Sequence, residues 1–564
     1  MLKIIETSYP LILLTLFSLL LLFGLGNTTL LDYDEGAYAE VSREMYLASE
    51  MVIPTLNGED FFEAPPMLYW TQMLGFKLFG INTLGARSVN ALCGLVTILI
   101  LFFGSRGVLG SRTAFNASLI LGSSFLFVYL SRVAMTDMLL TMFLTICLIS
   151  SWYGVERAIR NQGGALLFWF GCLAASCAML SKGAVGALFP VITAVIYLLS
   201  INRIGLLFRK NWLLPGTLTL VGVGFSWYLL IGFLHPEGFG FMKELFIKHH
   251  LGRFSSAIEG HSGPFYYYFI VLLVGFLPWF SYLPVAVYHA PVLSNREPAS
   301  RFVRLFVIFS AIVLVFFSIA ATKLPNYILP SLPGLALITA TLFKAERMRY
   351  PTIWLVAGGI SAALICLLGL VIAAAPLIIS YLPDLLGEDS RKAPILAEPV
   401  QLGYGIWVAV VLLLFSGLHI IRALRGKQVN QIFQALLLSS GIVSATIFFT
   451  IMPIYDRLMN QPLASLALEA ADHTPPDGRI VLYNINNRPS VMFASHRRTI
   501  YHSDRHLQQL PGLFHQDGVA VGITTNYYYG RLLSHSIPVQ ELNRQAGFVL
   551  FSMVMENSKP APPQ

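Results

Sequence analysis

Carboxylates stand at two places where long apolar segments of this 564-residue chain begin or end. Asp34 and Glu35 follow the first apolar segment directly, and Asp137 lies at the start of the fourth. Ionisable residues at membrane depth are costly to bury and usually have a function. We therefore predict that Asp34 and Asp137 are catalytic, with Asp34 as the first candidate. Glu35 is predicted to line the same pocket or, alternatively, to be structural.

Three basic residues complement these acids. They are Lys182 in a Ser-Lys-Gly stretch, Arg253 in His-Leu-Gly-Arg-Phe and Lys323 in Lys-Leu-Pro-Asn-Tyr. The two lysines fall on the side of the membrane opposite to most other basic residues, so we expect something anionic to hold them. Phosphate fits, because guanidinium and ammonium groups both bind it well. The alternative is that the lysines form structural salt bridges with nearby acids, Glu63 among them.

Histidines raise the question of a metal site. His249, His250 and His261 lie within one short segment, but they lack a ligand pair with recognised zinc spacing. We therefore predict that the protein binds no metal and needs no cofactor.

The composition requires a membrane to surround these residues. The chain is 56% hydrophobic and only 12% charged, and its mean hydropathy is +0.68. A bilayer core of about 30 Å needs about 20 apolar residues per helix. Thirteen runs of this kind are predicted to be spans, near residues 8–26, 86–104, 112–130, 134–153, 164–181, 184–201, 212–234, 265–289, 302–321, 326–343, 352–378, 403–422 and 431–453.

Lys and Arg residues are concentrated in alternate loops, which predicts the orientation, because short loops rich in positive charge stay cytoplasmic. Six successive basic loops would then be inside, and the N-terminus with them. An odd number of spans places the C-terminus outside. The net charge of +8 is largely explained by these loops, so nucleic acid is not an expected partner. The basic loops contain Arg106 and Arg112; Arg157 and Arg160; Arg203, Arg209 and Lys210; Arg296, Arg301 and Arg304; Lys344, Arg347 and Arg349; and Arg422, Arg425 and Lys427.

Two kinds of outer segment are predicted to have structure. Loops 27–85 and 235–264 each contain an amphipathic pattern, which indicates helices next to the membrane surface. Residues 1–456 form the membrane domain, and the polar residues 457–564 are predicted to be a small outer α/β domain. Within it, strands are expected at 480–484, 499–502, 519–524 and 548–554, and a helix at 463–473.

Several short motifs, in this order and topology, are similar to a known family. They are Asp34-Glu-Gly-Ala-Tyr-Ala-Glu-Val-Ser-Arg-Glu-Met45, Phe62-Glu-Ala-Pro-Pro-Met-Leu-Tyr-Trp70, Ala86-Arg87, Thr136-Asp137, Ser181-Lys-Gly183, His250-Leu-Gly-Arg-Phe254, Gly263-Pro-Phe-Tyr-Tyr267 and Lys323-Leu-Pro-Asn-Tyr327. Over nearly its whole length the chain resembles the GT-C membrane glycosyltransferases that use polyprenyl-phosphate sugars. Within this group it resembles the lipid A aminoarabinose transferases and their protein O-mannosyltransferase relatives in particular.

The resemblance implies a polytopic α-helical fold of thirteen spans with a periplasmic C-terminal domain, in the bacterial inner membrane. It implies transfer of a sugar, with 4-amino-4-deoxy-L-arabinose as the best candidate, from undecaprenyl phosphate to lipid A. A monomer is the default. The implied pocket residues are Asp34 and Asp137 for catalysis; Lys182, Arg253 and Lys323 for the donor phosphate; and Glu35, Glu63, Arg87, His250 and Tyr327 for the substrate.

One motif departs from the family pattern. The family commonly reads Glu-Lys-Pro where this chain has Glu63-Ala64-Pro65, so a lysine thought to contact the lipid phosphate is missing. Lys182 and Arg253 would then carry more of the phosphate binding, or the substrates would differ from aminoarabinose and lipid A. Within the class, the alternative is transfer of mannose or another sugar to protein Ser/Thr or to a glycan.

A transporter or lipid flippase is the alternative of a different class. It would also place charges within the membrane, but near the midplane and with a two-fold repeat. The candidate residues instead cluster at outer loop junctions, and the sequence has no evident repeat.

Overall fold

The protein is a polytopic α-helical membrane protein. A computed structural model describes residues 2–240, 262–290, 294–344, 351–387, 393–396, 402–516 and 518–554. Within these ranges seven helices are long and apolar enough to cross a membrane, or ten if each of three bent helix pairs counts as one span. The helices are α1 (Leu2–Leu22), α2 (Asp34–Ala48), α3 (Met67–Phe79), α4 (Thr83–Leu109), α5 (Ser111–Ser123), α6 (Phe125–Arg132), α7 (Thr136–Ile159), α8 (Ala165–Lys182), α9 (Val185–Ser200), α10 (Lys210–Thr219), α11 (Ser226–Leu234), α12 (Tyr267–Gly275), α13 (Leu283–His289), α14 (Pro298–Ile319), α15 (Leu332–Leu342), α16 (Pro351–Leu386), α17 (Gly405–Arg425) and α18 (Val429–Thr446).

Some predicted spans are not single straight helices. The run predicted at 112–130 bends by 63° between α5 and α6, and the run at 265–289 bends by 116° between α12 and α13. Pro278 lies in the second break, and proline cannot continue a helix because it lacks an N–H. The run at 326–343 begins with a 3-10 segment, Pro325–Ser331, before the short helix α15. The length of the apolar runs located these segments, but it did not predict where their helices break.

Helix α2 lies in the first outer loop and is largely enclosed by protein. The amphipathic pattern in loop 27–85 correctly predicted a helix here. Val41 is fully buried and Met45 nearly so, and even the Glu40–Arg43 ion pair, with atoms 2.6 Å apart, is almost inaccessible. Helix α3 packs against one side of α2, and a helix of the C-terminal part packs against another. The second predicted outer helix falls mainly on residues 241–261, which lie outside the described residues.

The C-terminal part contains a mixed five-stranded sheet. Its strand order is β4-β3-β5-β7-β6, with β3 parallel to β4 and β5, and β7 antiparallel to β5 and β6. Helices α20 and α21 cover one face, and α22 and α23 cover the other. The strands and helices are β3 (Arg479–Tyr483), β4 (Arg498–His502), β5 (Val519–Thr525), β6 (Val539–Gln545), β7 (Phe548–Met553), α19 (Met452–Tyr455), α20 (Gln461–Asp472), α21 (Pro489–Ser495), α22 (Leu510–Phe514) and α23 (Asn526–Ser534); a two-stranded hairpin, β1 (Thr55–Leu56) and β2 (Glu59–Asp60), lies in the first outer loop.

Four of these strands and one helix agree with the sequence prediction within about two residues, the usual uncertainty of helix and strand ends. Strand β6 was missed because it is an edge strand whose side chains are mostly polar and are exposed or half-buried. The domain boundary predicted after residue 456 falls inside a continuous helical stretch, Val429–Asp472, which contains α18, α19 and α20. The last apolar segment therefore runs into the C-terminal part without a loop.

Candidate active site

A cavity of about 1130 Å³ lies where loop 27–85, several helix ends and the C-terminal part meet. Six of the ten predicted site residues line it: Asp34, Glu35, Glu63, Asp137, Lys182 and Tyr327. The remaining lining residues are Leu31, Asp32, Tyr33, Tyr38, Tyr129, Val133, Met135, Thr136, Thr322, Leu324, Asn326, Ile451, Met452, Tyr455, Asn486, Asn487 and Arg488.

Lys182 and Asp137 form an ion pair at the wall of this cavity. The Lys182 ammonium donates to Asp137 Oδ1, and the Asn326 side-chain amide donates to Asp137 Oδ2 at 2.8 Å. The ammonium also lies 4.8 Å from the ring centroid of Tyr327. Only 1% of the Asp137 side chain is exposed, against 18% for Lys182. The lysine is thus the member of the pair that faces the cavity.

The catalytic role of Asp137 stays a prediction, and the geometry favours a positioning role for this residue. Both carboxylate oxygens accept hydrogen bonds from protein groups, and the side chain is buried. A carboxylate in this state cannot readily take a proton from a substrate, because it would have to give up those partners. The structure places Asp137 as a residue that holds Lys182 in position.

Asp34 is the first residue of α2 and is partly exposed at the cavity wall. The N-terminus of a helix carries a partial positive charge, which favours the ionised form of a carboxylate in the first turn. Glu63 reaches the same cavity from the segment between β2 and α3. Asp34 and Glu63 therefore both line the cavity, and the catalytic role of Asp34 stays a prediction.

Glu35 and Arg87 form a second, fully buried ion pair. Arg87 Nε and Nη2 donate to the two oxygens of Glu35 at 2.7 Å each. The backbone N–H groups of Leu31 and Ala134 each donate to the same carboxylate at 2.8 Å. Arg87 further donates to backbone carbonyls of residues 25, 28 and 29. This network fastens the start of α2 to α4 and to the residues before α7. It corresponds to the structural alternative that the sequence analysis gave for Glu35.

Lys323 does not line the cavity. Its ammonium donates to the backbone carbonyls of Phe317, Ser318 and Ala320 at 3.3, 2.7 and 2.8 Å. These carbonyls lie at the C-terminal end of α14, where they lack partners within the helix, and a lysine near a helix C-terminus commonly satisfies them. The contact of Lys323 with the donor phosphate stays a prediction; in this structure its ammonium is held by these carbonyls. Arg253 and His250 lie outside the described residues.

The first outer loop is also fastened to the C-terminal part. The backbone N–H of Ser490 donates to Asp32 Oδ1 at 2.9 Å, and the Ser490 hydroxyl donates to Asp32 Oδ2. Arg488 Nη1 lies 3.6 Å from Asp32 Oδ2. Burial raises the pKa of Asp32, and the hydrogen bonds from Ser490 act in the opposite direction.

Sequence reasoning missed several lining residues. Asn326 lies inside a motif that was quoted, but only its neighbours were given roles. Asp32 stands two residues before Asp34, in the same segment. The loop 486–488 carries no local pattern that would indicate a site, because Asp32 and Ser490 are 458 residues apart in sequence. Within the described residues, no group of three or more His, Cys, Asp or Glu side chains is arranged to hold a metal ion.

Known proteins resemble the chain in sequence. Residues 63–231 match the dolichyl-phosphate-mannose-protein mannosyltransferase family. The chain is 34% identical over 340 residues to an uncharacterized protein of Aquifex aeolicus. It is 31% identical over 329 residues to the undecaprenyl phosphate-alpha-4-amino-4-deoxy-L-arabinose arabinosyl transferase of Edwardsiella ictaluri. These alignments cover 60% and 58% of this chain, but only 64% and 57% of the two relatives, less than two thirds of each.

The structural likeness covers the whole chain. The crystal structure of ArnT from Cupriavidus metallidurans bound to undecaprenyl phosphate matches with a TM-score of 0.75 at 21% identity. That match covers 99% of this chain and 100% of the other. The sequence match to the family, residues 63–231, includes Glu63, Asp137 and Lys182 of the cavity. The fold expected from the motifs is thereby confirmed: the chain has the GT-C fold.

Proposed function

We propose that this chain is an inverting glycosyltransferase that moves a sugar from undecaprenyl phosphate to lipid A. The main observation in support is that Asp34, Glu63 and the Lys182–Asp137 pair line the same cavity. The similarity to arabinosyl transferases that use undecaprenyl phosphate supports 4-amino-4-deoxy-L-arabinose as the sugar. The ArnT structure with bound undecaprenyl phosphate supports the carrier lipid.

In the proposed reaction an acceptor oxygen attacks the anomeric carbon of the donor sugar. The bond between that carbon and the phosphate oxygen breaks, and undecaprenyl phosphate leaves with the bonding electrons. Negative charge grows on the leaving phosphate, and Lys182, held by Asp137, stabilises it electrostatically. A neutral acceptor would give its proton to Asp34. A lipid A phosphate is already ionised, and for such an acceptor Asp34 acts by positioning or by stabilising positive charge on the sugar.

Arg253 remains in the proposal as a second phosphate-binding residue, because the family lysine is replaced by Ala64. His250 in the same motif is proposed to lie near it. We further propose a monomer with thirteen spans in the bacterial inner membrane. Its N-terminus would be cytoplasmic, and residues 457–564 would form a periplasmic domain.

We propose that the reaction needs no metal, because protein cations take the part that a divalent ion plays toward a leaving phosphate. Transfer by the purified protein should therefore proceed at the same rate with and without EDTA. Restoration of a lost rate by added Mg²⁺, Mn²⁺ or Zn²⁺ would contradict this.

Mannosyl transfer to protein is the second candidate, because the matching family model describes that activity. The decisive experiment incubates the purified full chain with undecaprenyl-phosphate sugars, radiolabelled in the sugar, together with lipid A or an acceptor protein. Label in lipid A supports the first proposal, whereas label only in protein supports the second. Mass spectrometry of lipid A from cells with and without this chain provides the cellular check. An unchanged profile would exclude lipid A as the acceptor.

A further inference from the structure

The cavity wall contains a cation contributed by the C-terminal part. The charged side chains among the described lining residues are five carboxylates and two cations, Lys182 and Arg488. The Lys182 charge is matched by Asp137, a buried carboxylate in direct contact. A phosphate that enters this cavity therefore meets mainly acidic walls. Of the two described cations, Arg488 lies farther from its counter-ion, Asp32, than Lys182 does from Asp137.

Arg488 retains capacity to bind an anion. A guanidinium carries five N–H donors. Within the described chain, Arg488 Nε donates to the Ile485 carbonyl at 3.1 Å, and Nη1 lies 3.6 Å from Asp32 Oδ2. The Asp32 oxygens already accept from Ser490. About a quarter of the Arg488 side chain, 27%, is exposed, so the guanidinium is held at its base and open toward the cavity.

The surrounding loop is built to present such a group. Residues 484–488 follow β3, which runs parallel to both of its neighbours, so the loop lies at the carboxyl edge of the parallel strands. This edge is where open α/β sheets commonly bind ligands. Asn484 and Asn486 adopt positive φ angles of 51° and 61°, which asparagine tolerates better than most residues. Asn486 and Asn487 are exposed and line the cavity next to Arg488.

We propose that Arg488 binds a phosphate group of one of the two lipid substrates, so that the C-terminal part supplies a wall of the binding site. The inference rests on the proposed function, because it assigns a partner within the same cavity. The Asp32–Ser490 hydrogen bonds position this wall by fastening the first turn of α21 to the first outer loop.

Binding of undecaprenyl phosphate and of lipid A to the full chain in lipid nanodiscs tests the proposal without turnover. Arg488→Gln should weaken binding of one of the two lipids by about tenfold or more, the loss expected for a charge-assisted contact to phosphate. Weaker binding of lipid A assigns Arg488 to the acceptor, and weaker binding of undecaprenyl phosphate assigns it to the donor. Dephosphorylated lipid A should bind equally to both proteins if the acceptor phosphate is the partner.

Arg544→Gln is the matched control, because Arg544 lies on the edge strand β6 in an exposed ion pair with Glu541. Its lipid binding should stay within about twofold of wild type, as for most surface substitutions. If Arg488→Gln lowers the thermal midpoint, Arg488→Lys separates folding from binding by keeping the charge. Wild-type affinity for both lipids in Arg488→Gln would overturn the inference. A wild-type chain that binds both lipids but transfers no sugar would instead contradict the proposed function.

Discussion

Lys182 illustrates how a cation is held at the end of a membrane helix that is predicted to face outward. It is the last residue of α8, and the positive-inside tendency alone would not place a lysine there. The buried carboxylate of Asp137, the amide of Asn326 and the Tyr327 ring together create a site for its ammonium. The sequence raised both possibilities for this lysine, a structural ion pair and a phosphate contact. The structure supports the ion pair and leaves the ammonium facing the cavity.

A double-mutant cycle measures how much the Asp137–Lys182 ion pair contributes to the rate of sugar transfer. Asp137→Asn and Lys182→Gln should each lower the transfer rate strongly, because each leaves a buried or half-buried partner without its counter-charge. If Asp137 acts only through Lys182, the double variant should be little worse than Lys182→Gln alone, with a coupling of about 0.5–3 kcal/mol. Transfer rates in membranes with equal protein content provide the measurement. Fully additive losses would indicate that Asp137 has an independent role in the reaction.

Asp34 is expected to be required for the reaction and dispensable for the fold. Asp34→Asn removes the charge but keeps the shape, so transfer to a neutral acceptor should fall by about 10² to 10⁴, the usual contribution of a general base. Expression and thermal midpoint should be unchanged, because Asp34 is partly exposed at the helix start. Near-normal turnover would remove Asp34 from the mechanism.

Among the helices, α2 positions the predicted catalytic residue, because it begins at Asp34. Glu35, the next residue, is tied to α4 through Arg87 and to the segment before α7 through the Ala134 N–H. Both acids line the cavity, but Glu35 is buried in an ion pair with Arg87 whereas Asp34 is partly exposed. The two adjacent acids were evident in the sequence, whereas only the structure shows which of them pairs with Arg87.

Glu35→Ala should therefore destabilise the protein, unlike Asp34→Asn. Removing one partner of a buried ion pair commonly costs about 3–5 kcal/mol, because the other charge stays buried without compensation. We expect a lower thermal midpoint or loss of folded protein in detergent, measured beside Asp34→Asn as the control. An unchanged midpoint for Glu35→Ala would contradict the structural role of the pair.

Features that depend on neighbouring residues could be predicted from the sequence, whereas features that depend on residues far apart in the chain could not. Strands β3, β4, β5 and β7 were predicted because their apolar runs are local signals, and the polar edge strand β6 was not. The direction of the Lys323 side chain depends on carbonyls at the end of α14, which no spacing rule reveals. The position of Arg488 depends on its contact with Asp32, more than 450 residues away in sequence, and local sequence patterns do not indicate such pairings.

Across the whole molecule, some of the basic residues that predict the orientation also form contacts inside the fold. Arg301 was counted among the basic residues that orient the chain, but it is buried in an ion pair with Glu156 at 2.7 Å that joins α14 to α7. One such residue does not alter the asymmetry, because five other basic loops agree. The orientation itself remains a prediction.

Single-cysteine labelling tests that orientation. Ser534 is exposed in the C-terminal part, and Gln162 is exposed in a loop predicted to be cytoplasmic. The five natural cysteines lie within helices of the membrane part and are buried or half-buried. An impermeant maleimide added to spheroplasts should label Ser534→Cys, and it should label Gln162→Cys only after the membrane is opened. The reverse pattern would invert the proposed topology.

The continuous helical stretch from Val429 to Asp472 has a mechanical consequence. Its 44 residues extend over about 66 Å at roughly 1.5 Å per residue. The backbone stays helical throughout, with π-helical segments at Ile447–Ile451 and Asp456–Asn460. Such a stretch can act as a lever, so a tilt of about 5° at the bilayer end would displace its far end by roughly 6 Å. Any rocking of this span as lipids enter or leave would thus be transmitted directly to the sheet that α20 covers.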